Sequence, residues 1–197
     1  MIYLFMLWGY VIPSNQNVIC NVMGLGGFQI PRFNRSNLFL RRIANPSGRL
    51  AGGGRLMRKI DMIVVHCSGS RCNHRYTLEQ LRHDHVVVNG WRDIGYHFYI
   101  TLEGVVYPCR PVERMGAHAL GYNAHSIGIC YEGGLSPSGC ISDTRTPAQK
   151  EAMKLLILRL HREFPDIKTI LGHRDLPGMQ KACPCFDATK LQPLLAS

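Results

Sequence analysis

From residue 60 onward, apolar positions fall into short β-like runs alternating with segments of helical period. Ile60–His66 (IDMIVVH) is β-branched and apolar and gives way to polar Cys67-Ser68-Gly69-Ser70, which predicts a buried strand feeding a loop. Thr77-Leu78-Glu79-Gln80 has the form of a capping box, and Leu78, Leu81, His85 and Val88 follow at helical spacing as far as Asn89-Gly90. Tyr96–Thr101 and Val105–Cys109 read as strands joined by a tight turn at Glu103-Gly104, and Ile127–Tyr131 as another strand before a Gly/Ser/Pro loop at 133–140. The strongest helix signal is Thr146-Pro147-Ala148-Gln149, followed by Met153, Leu156, Ile157, Leu160 and Phe164 on one face and stopped by Pro165. Thr169–Leu171 is a last short strand. Strands and helices alternate, but the hairpin breaks a purely parallel order. The expected fold is a single α/β domain with a central mixed β-sheet flanked by helices.

Charge divides the chain. Residues 1–60 carry eight basic side chains and no acid, whereas the remainder carries 15 basic and all 13 acidic groups, a net of +2. Most of the overall charge of +10 therefore belongs to the leader, and a nearly neutral body gives no ground for nucleic-acid binding by the folded domain. Residues 1–58 read as a poorly ordered, basic, Gly/Arg-rich N-terminal extension, and residues 59–197 as the domain; Met57 opens a natural domain start. The apolar run at residues 2–12 is shorter than the roughly 20 residues a membrane-spanning helix needs. As a signal peptide it is a weak match, with no Lys or Arg before it and no small-residue cleavage site after it. Gly24-Leu25-Gly26-Gly27 lacks the third glycine and the βαβ context of a dinucleotide site.

Candidate chemistry gathers at strand ends, where functional groups commonly emerge from α/β sheets. His66 closes the first strand, and His173 and Cys183 flank the loop after the last. Two imidazoles and a thiolate make a sound zinc set with a fourth position open, the catalytic pattern. Cys185 offers a fourth ligand for a structural site, although Pro184 hinders both cysteines from binding one tetrahedral ion. Neither HExxH nor paired CxxC is present. Spacing alone therefore leaves plainer readings open: a satisfied strand-end histidine, and a cysteine that is a small buried hydrophobe.

A series of segments in one order sharpens this. Val65-His66-Cys67-Ser68, Gly90–Phe98 (GWRDIGYHF), Gly116-Ala117-His118, Gly121-Tyr122-Asn123, Ser126-Ile127-Gly128, Thr146-Pro147-Ala148-Gln149, Gly172-His173-Arg174-Asp175 and Lys181-Ala182-Cys183-Pro184 together resemble the type-2, zinc-dependent N-acetylmuramoyl-L-alanine amidases. The small phage lysozyme-like enzymes are the most similar, and peptidoglycan recognition proteins share the fold. The resemblance implies one catalytic Zn2+ held by His66, His173 and Cys183, with Tyr96 and Lys181 as catalytic residues. It also implies hydrolysis of the amide between N-acetylmuramic acid and L-alanine of peptidoglycan, in cell lysis or wall turnover. His118, Tyr122, Asn123 and Trp91 fall in family-like segments as candidates for binding glycan or stem peptide. Arg174-Asp175 is a candidate pair for orienting an imidazole. His97 alternates with Tyr96 and should face the other way, as a structural residue.

Two features depart from the resemblance: the basic leader, and nine residues between His173 and Cys183, a longer loop than in the most similar enzymes. Eight cysteines are compatible with a disulfide scaffold, but a free Cys183 and a real core favour synthesis in a reducing bacterial or phage-infected cytoplasm, with action on the wall. No pairing, Cys72–Cys140 included, follows from the sequence. Two other functions stay open: a non-catalytic peptidoglycan-binding module of the same fold, and a cysteine-nucleophile hydrolase with His173 as base to Cys183. The polymerase binding known for some phage relatives is neither supported nor opposed by any residue.

Overall fold

In the first strand, every second side chain must face the same side of the sheet. Ile63, Val65 and Cys67 pack into one apolar cluster, while Val64 and His66 face the opposite side. This alternation carries a histidine out of an otherwise apolar strand toward the side away from the main helix. The computed structural model describes residues 58–196. The basic leader, with its signal-peptide and glycine-patch expectations, lies outside the described residues.

Among the described residues seven strands form: β1 (Met62–Cys67), β2 (Ser70–Arg71), β3 (Phe98–Ile100), β4 (Val106–Pro108), β5 (Ser126–Tyr131), β6 (Gly134–Leu135) and β7 (Thr169–Gly172). The main sheet has the order β4-β3-β5-β1-β7, and β2 pairs with β6 in a second, two-stranded sheet. Within the main sheet β3, β5, β1 and β7 run parallel, and only β4 is antiparallel, closing the expected hairpin on β3. The mixed α/β sheet is therefore as the sequence predicts.

Helix α1 (Leu78–His83) begins at a true capping box, with Gln80 N–H donating to Thr77 Oγ1 and the Gln80 side chain accepting from Thr77 N–H. Beyond it the chain widens into a π-helical turn over Asp84–Val88, where the sequence suggested continuous helix. This turn swings His85 inward, so that its Nδ1 accepts from Gly95 N–H at 3.0 Å. Helix α2 (Pro147–Glu163) also starts at a capping box, on Thr146 and Gln149, and packs Met153, Leu156, Ile157 and Leu160 against β1, β5 and β7. Gln149 has no exposed surface. Its amide nitrogen donates to the carbonyls of Glu132 and Ile100, which ties the helix start to the ends of β5 and β3.

The free edge of β7 is covered by the chain's last segment, a 3-10 run over Ala188–Ala196. Gln192 plays the part of a neighbouring strand there, accepting from Ile170 N–H at 2.8 Å and donating to the Lys168 carbonyl at 2.6 Å. At the other end, the Arg58 guanidinium donates to the carbonyls of Val112, Asn123, Ala124 and Ser126, so the start of the described chain is stitched to the loop before β5.

Candidate metal centre

Parallel pairing brings distant residues together at strand ends. Val65 of β1 lies beside Gly172 of β7, so the next residues, His66 and His173, leave adjacent strands side by side. Their rings are 4.7 Å apart between centroids. The loop after β7 then folds back: Arg174 N–H donates to the Cys183 carbonyl, and Cys67 N–H donates to Cys183 Sγ at 3.3 Å. One donor atom from each of His66, His173 and Cys183 lies within 4.8 Å of the others, the one such cluster of potential ligands among the described residues. His66 Nδ1 is 3.8 Å from Cys183 Sγ.

The donor set fits a zinc ion. Burial holds His66 well below the ordinary imidazole pKa, with His118, His173 and Lys181 adding to the effect. Burial, helped by the Lys181 charge, brings His173 to about 4. Both rings are therefore neutral at pH 7, with lone pairs to offer alongside a thiol. That is the N/N/S combination that suits Zn2+ and leaves a coordination position for solvent or substrate. Cys185, the alternative fourth ligand, turns elsewhere: its sulfur sits 3.6 Å from Cys67 Sγ.

Behind His66 a second imidazole fixes its orientation. His66 Nε2 is 3.0 Å from His118 Nδ1, and His118 Nε2 is 3.5 Å from Ser126 Oγ, which in turn donates to the Tyr122 carbonyl. If Nδ1 of His66 is to keep its lone pair for a metal, Nε2 carries the proton, and the chain runs in one sense as His66 to His118 to Ser126 to Tyr122. The His118 ring fits because β5 has Gly128 beneath it, where a Cβ would come within 2.5 Å of the imidazole. His118, read from sequence as a candidate substrate contact, is 7% exposed and lies against His66 of the ligand cluster.

The other expected residues fall around this core. Tyr96 has its ring centroid 5.0 Å from that of His66 and packs against the buried cluster that holds Cys130. Burial raises the Tyr96 pKa well above 10, and the sulfurs of Cys130, Cys183 and Cys67 push it further, so it stays a phenol. Lys181 is exposed, and its charge is felt by both His66 and His173. Trp91 is 39% exposed and packs on His85, which packs on Tyr96. Asn123 Oδ1 accepts from the N–H groups of His118 and Ala119, holding the loop that presents His118. Tyr122 packs beside Val64 and Leu176 and against His125.

Asp175 differs from the reading of it as an imidazole partner. Its Oδ2 accepts from Gly172 N–H at 2.8 Å, so it closes the turn that carries His173 rather than touching the ring. His97 is fully buried; its Nδ1 accepts from Gly128 N–H, and its Nε2 lies 3.0 Å from the Arg114 carbonyl. The sequence gave no hint of Ser126, Cys67 and Cys130 as neighbours of the cluster; the only available signal was their place on β5 and β1 beside the candidate ligands.

Comparison with known proteins agrees with this geometry. The family model for N-acetylmuramoyl-L-alanine amidase matches residues 56–186. The endolysin of Escherichia phage T7 is 36% identical over 127 residues, 64% of this chain and 82% of that protein. Peptidoglycan-recognition protein SC1a of Drosophila melanogaster is 41% identical over 128 residues, 62% of this chain and 65% of that one. Among solved structures, the N-acetylmuramoyl-L-alanine amidase LysC from Clostridium intestinale superposes with a TM-score of 0.57 at 29% identity, covering 70% of this chain and 84% of LysC. With the family model spanning most of the described domain, and a histidine–histidine–cysteine cluster at the ends of its parallel strands, this chain belongs to the N-acetylmuramoyl-L-alanine amidase family.

Proposed function

We propose that this protein is a zinc-dependent amidase that hydrolyses the bond between N-acetylmuramic acid and L-alanine in peptidoglycan, acting on the bacterial wall in lysis or turnover. The observation that carries the reading is the convergence of His66, His173 and Cys183, with donor atoms within 4.8 Å, beside a protonated tyrosine and a lysine. Residues 59–197 form the catalytic domain in this reading, and residues 1–58 a basic extension that precedes it.

A bound Zn2+ would supply Lewis acidity and a water of lowered pKa at neutral pH. The chain's own groups do the rest. His118 and Ser126 hold the His66 ring in one tautomer and orientation. Lys181 offers a fixed positive charge to the carbonyl oxygen of the scissile amide as negative charge grows there. Tyr96, kept as a phenol, is a hydrogen-bond donor rather than a base, suited to steady the attacking oxygen or pass a proton toward the leaving amine. Trp91 and the rim at His85 stand beside Tyr96, where a sugar or stem peptide would lie. A pure binding module needs neither a thiol ligand nor Lys181 and Tyr96 at the same point, and a cysteine nucleophile needs no second imidazole against the thiol.

The test is digestion of purified peptidoglycan with separate counts of new L-alanine amino termini and new reducing ends. Amino termini without reducing ends, lost on chelation and restored by Zn2+, are expected. Lys181→Ala and Tyr96→Phe should each lower kcat by roughly 10²-fold or more while retaining the metal. Zinc binding without any new amino termini would replace this reading with the binding module. Activity that survives chelation would replace it with the cysteine nucleophile.

A further inference from the structure

The loop that brings Cys183 to the metal cluster also brings a second sulfur to β1. Cys67 Sγ and Cys185 Sγ lie 3.6 Å apart, and nothing separates them. Gly134 forms the wall over the pair: a Cβ there would stand 2.7 Å from the Cys67 sulfur and 3.3 Å from that of Cys185. The space the two thiols share thus exists because the start of β6 has no side chain. Cys67 is buried and Cys185 half-buried, so Cys185 is the more accessible residue of the pair. A disulfide requires the sulfurs to close to about 2.05 Å, a short movement for two side chains already facing each other.

We propose that Cys67 and Cys185 form a thiol-pair modification site, which low-molecular-weight disulfides oxidise to an intramolecular disulfide beside the metal ligands. The Cys185 thiol displaces one thiol from the reagent disulfide and becomes a mixed disulfide with it. The Cys67 thiol then attacks the Cys185 sulfur and releases the second reagent thiol. Two protein S–H bonds and one reagent S–S bond are lost, and one protein S–S bond and two reagent S–H bonds are gained. The protein loses two electrons and two protons, and the reagent takes up both.

The position of the cross-link gives it a consequence for the cluster. Cys185 follows Cys183 by two residues, and the N–H of Cys67 already donates to Cys183 Sγ. Joining Cys67 to Cys185 therefore pins the Cys183 segment to β1 at a second point without consuming Cys183. Local opening of that segment, by which a metal would escape, becomes rarer. The disulfide itself rests on the two sulfurs alone; its effect on metal release rests on the zinc reading above.

Zinc-loaded full-length protein is incubated with glutathione disulfide at neutral pH, digested without reduction, and mapped by mass spectrometry. A peptide joining Cys67 to Cys185 is expected, reversible by dithiothreitol and absent from Cys185→Ser and Cys67→Ala. Zinc transfer to a chromogenic chelator should be severalfold slower after oxidation of the wild type and unchanged by the same treatment of Cys185→Ser. Glutathione retained as a mixed disulfide on Cys185, a bond that includes Cys183, or two thiols that stay unreacted would each overturn the proposal. If the protein cleaves no peptidoglycan yet forms the Cys67–Cys185 bond, the amidase reading fails and this one stands.

Discussion

Removing one oxygen from Tyr131 isolates how the fold holds the loop that carries Cys183. The Tyr131 hydroxyl, at the end of β5 and fully buried, donates to the Pro184 carbonyl at 2.6 Å, one residue past Cys183. Tyr131→Phe keeps the ring and its 6.0 Å packing on Phe186, so no cavity opens. What remains is a buried carbonyl without its donor, a loss of about 1–3 kcal/mol. Because the lost bond anchors the ligand loop rather than the sheet, most of that energy should appear as easier opening of the loop. Every 1.4 kcal/mol is about tenfold in an equilibrium, so zinc affinity should weaken by about ten- to a hundredfold. The assay is competition for Zn2+ with a chromogenic chelator, run beside urea denaturation of the metal-free protein. A variant that loses folding stability but binds zinc as tightly as the wild type would refute the idea that this hydrogen bond positions Cys183. A variant unchanged in both would refute the hydrogen bond's contribution altogether.

Acid should weaken the fold through His97, whose pKa burial lowers from 6.5 to about 4, against the opposing pull of the Arg114 carbonyl and with Arg58 and Arg110 adding to the lowering. Between those values the unfolded chain binds the proton and the native one does not. His97's contribution is thus complete above pH 6.5 and lost toward pH 4, a fall of about 3 kcal/mol that Asn at position 97 should flatten in urea titrations across that range; identical pH profiles would contradict it. Gln149→Leu should cost about 3 kcal/mol in urea denaturation, since it strands the carbonyls of Glu132 and Ile100 and the N–H of Thr146 together. A loss below about 1 kcal/mol would mean that water or repacking replaces these bonds.

Features governed by neighbouring residues were legible in the sequence. The capping boxes at Thr77 and Thr146, the β3–β4 hairpin and the α2 stripe all follow from interactions within a few positions of the chain, and all are present. The two-residue strands β2 and β6 carry no periodicity to read, because they exist only by pairing with each other. The π-helical turn escaped for a related reason: Asp84–Val88 has good helical spacing, and it is the His85 bond to Gly95 N–H that accompanies the wider turn. At the site, the types and strand-end positions of His66, His173 and Cys183 were readable, but their mutual distance was not; it depends on β1 and β7 being neighbours. The contact of His118 with His66 was not readable because its partner lies 52 residues away, and the room for its ring is provided by a glycine on a third strand. The Cys67–Cys185 contact spans 118 positions and has no local signature at all.

The strand order has a consequence for how the protein comes into being. Among the described strands the ribosome delivers β1 first, yet its two partners in the sheet are β5 and β7, the latter more than 100 residues downstream. Cys183 follows later still, and the Gln192 side chain that covers β7 comes after it. A nascent chain therefore cannot bring His66, His173 and Cys183 together until Cys183 itself has emerged, and long-range pairing of this kind is intrinsically slow. An interrupted or truncated product would carry the first histidine without the set it belongs to. In the amidase reading, competence would thus arrive only after Cys183 has left the ribosome, and a product that stops before it would lack the set.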